Sequence, residues 1–128
     1  MKNFKFIWKN FDTIKQGYDL ATLTIEIQDD EINPTITFST GDKFAFTVID
    51  KTFKENNKEM LEKLSKVKIP EENIASDGCD GDAWEIEVDG KVLKGYLDRP
   101  KWLNEIKEII CFNNIFEYAE SKIKSYIS

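Results

Sequence analysis

The stretch Trp84-Glu85-Ile86-Glu87-Val88-Asp89-Gly90-Lys91-Val92-Leu93-Lys94-Gly95-Tyr96 decides the fold. Two alternating runs flank Asp-Gly, a dipeptide that accepts the left-handed backbone of a two-residue hairpin turn. A turn of that length fixes the register, with Ile86 facing Leu93, Glu85 facing Lys94 and Trp84 facing Gly95. Opposite charges then meet on one face, and on the other an indole lies over a glycine. The apolar face carries Trp84, Ile86, Val88, Leu93 and Leu97, and the polar face carries Glu85, Glu87, Lys94 and Tyr96. A hairpin with one apolar face needs a second layer to bury it, which the rest of the chain must supply.

Upstream, Phe4, Phe6 and Trp8 alternate with Lys5, Ile7 and Lys9, the pattern of a short first strand, read here as an edge segment. Leu23, Ile25 and Ile27 alternate with Thr22, Thr24, Glu26 and Gln28, and Ile36 and Phe38 with Thr35, Thr37 and Ser39. Thr40-Gly41-Asp42 reverses the chain into Phe44, Phe46 and Val48. Connections this short give an antiparallel meander, because parallel neighbours need a long crossover. The period then becomes helical. Thr52-Phe53-Lys54-Glu55 fits a capping box, Met60, Leu61, Leu64 and Val67 form the stripe, and Pro70 ends it.

Downstream, Pro100 suits the first turn of a helix carrying Trp102, Leu103, Ile106, Ile109 and Ile110. Asn113-Asn114 interrupts that stripe, and Asn114 with Glu117 caps a final helix carrying Ile115, Ala119, Ile123 and Tyr126. The expected fold class is α+β, with a single antiparallel sheet built from a meander plus a C-terminal hairpin and helices packed on one face. One domain is expected over residues 1–128.

Composition narrows the chemistry. Hydrophobic residues make up 41% and charged residues 33%, a globular balance. Acids outnumber bases 24 to 18, for a net charge of −6. Such a chain lacks the basic footprint that displaces counterions from nucleic acid, so no nucleic-acid partner is expected. Histidine is absent, which removes the usual general base near neutral pH and the commonest zinc ligand. The two thiols are Cys79, in a loop among carboxylates that raise its pKa, and Cys111, read as a small core residue. No leader pattern and no apolar run of about 20 residues occurs, so the expected location is the cytoplasm, with no membrane partner.

The candidate functional residues are few. Asp77, Asp80 and Asp82 punctuate Asp77-Gly78-Cys79-Asp80-Gly81-Asp82. Their spacing does not match a calcium loop, so no metal or other cofactor is expected and a solvated turn or a protein-steering loop remains. Glu85 and Glu87 are two residues apart on one strand face, where a cross-strand pair with Lys94 is favoured over acid–base catalysis. Arg99, the single guanidinium, either staples the acidic loop to the helix start or contacts a partner. Trp84 and Trp102 fall on inward faces, and Trp8 is left between core and binding anchor. No set of converging groups with tuned pKa values stands out, so an enzyme is not expected.

Between Ser76 and Ile110 the chain resembles a loose bacterial pattern. It consists of the turn Asp77-Gly78, the acid-alternating strand Trp84-Glu85-Ile86-Glu87, the glycine of Gly95-Tyr96, and a helix opened by Pro100 with Leu103 and Ile106. In this it is similar to small uncharacterised bacterial proteins, some of which resemble immunity proteins of polymorphic or contact-dependent toxin systems. The abundance of Lys, Ile, Asn and Phe also suits an AT-rich bacterial genome. The resemblance brings no catalytic residues. It implies a non-enzymatic protein-binding module that neutralises a basic toxin domain. The residues themselves, by their clustered charge, place Asp77, Asp80, Asp82, Glu85, Glu87 and Arg99 as the partner-binding candidates. The alternative is a structural or regulatory protein acting as a homo-oligomer or subunit. Its contact would be the edge of the first strand or the aromatic final helix with Phe112, Phe116, Tyr118 and Tyr126.

Overall fold

The computed structural model describes residues 1–10, 21–40, 44–48, 56–70, 82–96 and 101–127. Six strands, β1 (Asn3–Asn10), β2 (Ala21–Gln28), β3 (Thr35–Thr40), β4 (Phe44–Val48), β5 (Asp82–Val88) and β6 (Lys91–Tyr96), form one antiparallel sheet in the order β4-β3-β2-β1-β5-β6. Three helices, α1 (Asn57–Ser65), α2 (Lys101–Ile109) and α3 (Phe112–Ile127), complete the fold. The class is therefore α+β with a single antiparallel sheet. No helix is long and apolar enough to cross a membrane among the described residues.

The hairpin adopts the register expected from its turn, with Ile86 opposite Leu93, Glu85 opposite Lys94 and Trp84 opposite Gly95. Asp89 and Gly90 both hold positive φ, 48° and 90°, as a two-residue turn of this hand requires. A Cβ at position 95 would overlap the Trp84 ring, so glycine there is a packing requirement.

Apolar residues line up in rows across the sheet. Ile36, Ile25, Phe6, Ile86 and Leu93 form one row, and Phe38, Leu23, Trp8, Trp84 and Gly95 the next. Met60, Leu61 and Leu64 of α1, Leu103, Ile106 and Ile110 in and just after α2, and Phe112, Ile115 and Ala119 of α3 join this same core cluster. All three helices therefore pack on one face. Each fully buried large side chain contributes about 1.5–3 kcal/mol through apolar burial. Trp84 and Trp102 meet edge to face at 5.4 Å, so both serve packing, as their inward placement predicts.

Four sequence expectations need correction. First, β1 is central, hydrogen-bonded to β2 on one side and β5 on the other, so it offers no edge to a second copy. Its Trp8 is buried, stacks with Phe6 and lies beneath the ammonium of Lys107 at 3.9 Å. Second, α1 is capped by Asn56, whose side chain accepts the backbone N–H of Glu59 at 2.9 Å. Residues 52–55 lie outside the described residues. Third, α1 ends at Ser65 with its C-cap at Lys66, ahead of Pro70. Fourth, the break between α2 and α3 falls at Cys111, with φ 55°, and Asn113 and Asn114 lie inside α3 on its exposed side. Cys111 is accordingly half-buried and not a core residue.

Candidate functional site: the sheet face opposite the helices

Alternation forces every second residue of the sheet away from the helices. One row of this other face runs Glu26, Lys5, Glu87, Val92, and the next runs Thr37, Thr24, Ile7, Glu85, Lys94. β-Branched threonines suit such a surface, since they favour the extended backbone and tolerate water.

Glu85 and Glu87 are brought together on this face, as their spacing predicts. Lys94 approaches Glu85 at 3.7 Å, and Lys5 approaches Glu26 at 4.0 Å. The partners of the first pair differ in exposure. The Lys94 side chain is 67% exposed, whereas that of Glu85 is 24% exposed. The carboxylate is largely buried on the strand, and the lysine side chain reaches further into solvent. Such a pair is worth about 0–1 kcal/mol and leaves the carboxylate open to a better cation.

Toward the turn end of the sheet, Asn3, Lys5, Glu26, Gln28, Glu87 and Gly90 line a shallow groove of about 350 Å³. At its rim, the Asp89 carboxylate accepts the backbone N–H groups of Asn3 at 2.8 Å and Lys2 at 2.9 Å. These two bonds, that of Asn3 foremost, hold the Asp89 carboxyl below its ordinary pKa. The turn thus clamps the start of β1 to the hairpin. Asp89 was legible in sequence only as a turn residue. An Asp side chain folding back on nearby N–H groups is the signal that would have found this role.

Of the remaining sequence candidates, only Asp82 falls among the described residues. Asp82 begins β5 opposite Asn10, in the alternation register of Trp84 and Ile86 and not that of Glu85 and Glu87. Asp77, Asp80 and Arg99 lie outside the described residues, as does Cys79. Among the described residues, no group of three or more His, Cys, Asp or Glu side chains could hold a metal ion. In α3, Phe112 is buried against Phe6 and Trp8, Phe116 is half-buried, and Tyr118 is 44% exposed.

Charge on this face is balanced among the described residues, with Lys5, Lys9 and Lys94 against Glu26, Glu85 and Glu87. No protein-family model, curated protein or solved structure significantly matches the chain.

Proposed function

We propose that this chain is a non-enzymatic binding module that engages a basic protein, in the manner of an immunity protein that neutralises a bacterial toxin domain. The observation that carries the proposal is the pair Glu85–Lys94 on the sheet face opposite the helices. A partner arginine can displace Lys94 and bind Glu85 through two parallel hydrogen bonds, a stronger arrangement than the lysine makes. Glu87 and Glu26 stand ready beside it on either flank of Lys5. The chain's net charge of −6 steers a basic partner toward it and raises the association rate.

The test is kinetic. Glu85→Lys with Glu87→Lys changes exposed-face chemistry and leaves the core untouched. With a captured basic partner, the double reversal slows association about tenfold or more and flattens its salt dependence. An association rate and salt slope equal to those of the wild type remove this face from the interface.

A further inference from the structure

The geometry points to Ile32 as the apolar anchor of the partner-binding surface, seated in an apolar pocket whose rim is basic. This inference rests on the basic-partner proposal and adds a contact that the sheet face does not provide.

Ile32 is 74% exposed, the highest exposure of any large hydrophobic side chain among the described residues. It follows Asp29, Asp30 and Glu31, all exposed and with no base among them. An interface of this kind places an apolar group inside a charged rim, and Ile32 with these acids supplies both. Charge complementarity therefore selects a basic rim around the receiving pocket.

The loop is also fixed in place by three other parts of the chain. The N–H of Asp29 donates to the carbonyl of Lys2 at 2.9 Å, and that of Glu31 donates to Gln28 at 3.1 Å. From α1, the backbone N–H of Asn57 donates to the carbonyl of Ile32 itself at 3.0 Å. The Asn57 side chain, with no exposed surface, donates through Nδ2 to the carbonyl of Gln28 at 3.3 Å. Its Oδ1 is buried with no hydrogen-bond partner. A buried orphan acceptor is a destabilising choice for a core position, and here it accompanies an amide that fixes the base of the loop. Pre-ordering a loop lowers the entropy lost on binding, which is what an anchor residue needs. Gln28 also lines the groove with Glu26 and Glu87, so the anchor loop continues directly from the sheet face that carries Glu85 and Glu87.

The experiment places the photo-crosslinker p-benzoylphenylalanine at position 32 or, as a control on the sheet face, at position 92, in the full chain in lysate of the cells that make it. Affinities of wild type and Ile32→Ser for the cross-linked protein are then measured by calorimetry. Because Ile32 is exposed, the serine variant melts with the wild type. The expected result is an adduct from position 32 with a protein of isoelectric point above about 9, together with a loss of about tenfold or more in affinity on Ile32→Ser. An adduct with that basic protein from position 92 only, or an unchanged affinity for Ile32→Ser, overturns the anchor and leaves the basic-partner proposal standing. No adduct with a basic protein from either position, or an adduct with a second copy of the chain, overturns both.

Discussion

The two faces of the sheet are built from the same strands and differ in almost everything else. Phe6 and Lys5 are consecutive residues of β1. Phe6 has no exposed surface and touches Trp8 and Phe112, while Lys5 is half-buried on the opposite face between Glu26 and Glu87. One face stores the stability of the fold, and the other is free to vary in chemistry. A binding function placed on the second face can be altered without unfolding the protein.

The sharpest break of this contrast is Phe6→Ala. It leaves a cavity against Trp8 and Phe112 and costs about 3–5 kcal/mol, read as a lower denaturation midpoint at unchanged slope. Lys5→Ala, one residue away, stays within about 0.5 kcal/mol. Equal losses would erase the distinction between the faces. Next in size is Gly95→Ala, which forces a Cβ into the Trp84 ring and costs about 1–3 kcal/mol. Trimming the ring with Trp84→Leu makes the two changes non-additive, because they share one contact. Lys94→Ala, at the neighbouring position on the opposite face, costs about 0.5 kcal/mol or less.

Smaller effects sharpen the local assignments. Asn56→Ala removes the cap of α1 and costs about 1 kcal/mol, and a thermal melt equal to the wild type would move the cap elsewhere. Cys111→Gly relieves a left-handed residue between α2 and α3 and stabilises by about 0.5 kcal/mol, the strain released outweighing the added chain entropy. The smallest effect is electrostatic. The two backbone N–H groups hold the folded pKa of Asp89 below its ordinary value, so its contribution is complete above the ordinary carboxylate range and is lost as pH falls through the folded value. Asp89→Asn keeps the turn and removes that charge, so the stability difference between wild type and variant shrinks on acidification. A difference that grows toward low pH would contradict the clamp.

Much of this architecture is legible in the sequence, and the parts that are not have identifiable causes. The hairpin register follows from Asp89-Gly90 alone, because a two-residue turn leaves no freedom. The central place of β1 does not follow, since strand order is set by long-range pairing. Lys5 and Lys9 look like guards of an edge, yet they sit on the face opposite the helices, where lysine is equally at home. Thr52–Glu55 and Asn56–Glu59 both fit a helix start, and spacing alone cannot choose between them. Asn113-Asn114 reads as a break because it is polar, but both residues lie on the wet side of α3. A positive φ at Cys111 leaves no sequence trace.

On the functional side, the pairing of Glu85 with Lys94 is legible, because cross-strand neighbours follow from register. Ile32 carries a signal that was open to reading, an isolated branched apolar residue in the polar run Asp29-Asp30-Glu31-Ile32-Asn33-Pro34. The anchoring by Asn57 carries none, since burial of that amide depends on where α1 docks.

The most direct test of the account is a paired pull-down from native lysate, wild type beside Glu85→Lys/Glu87→Lys, at low and moderate salt, with mass spectrometry of the eluates. Both baits must be folded, and the reversed one melts slightly lower because the reversal sets like charges opposite Lys94 and Lys5. The account predicts one basic protein held stoichiometrically by the wild type, weakened by salt, and lost from the reversed bait. The same protein retained equally by both baits, or none with a basic composition on either, contradicts it.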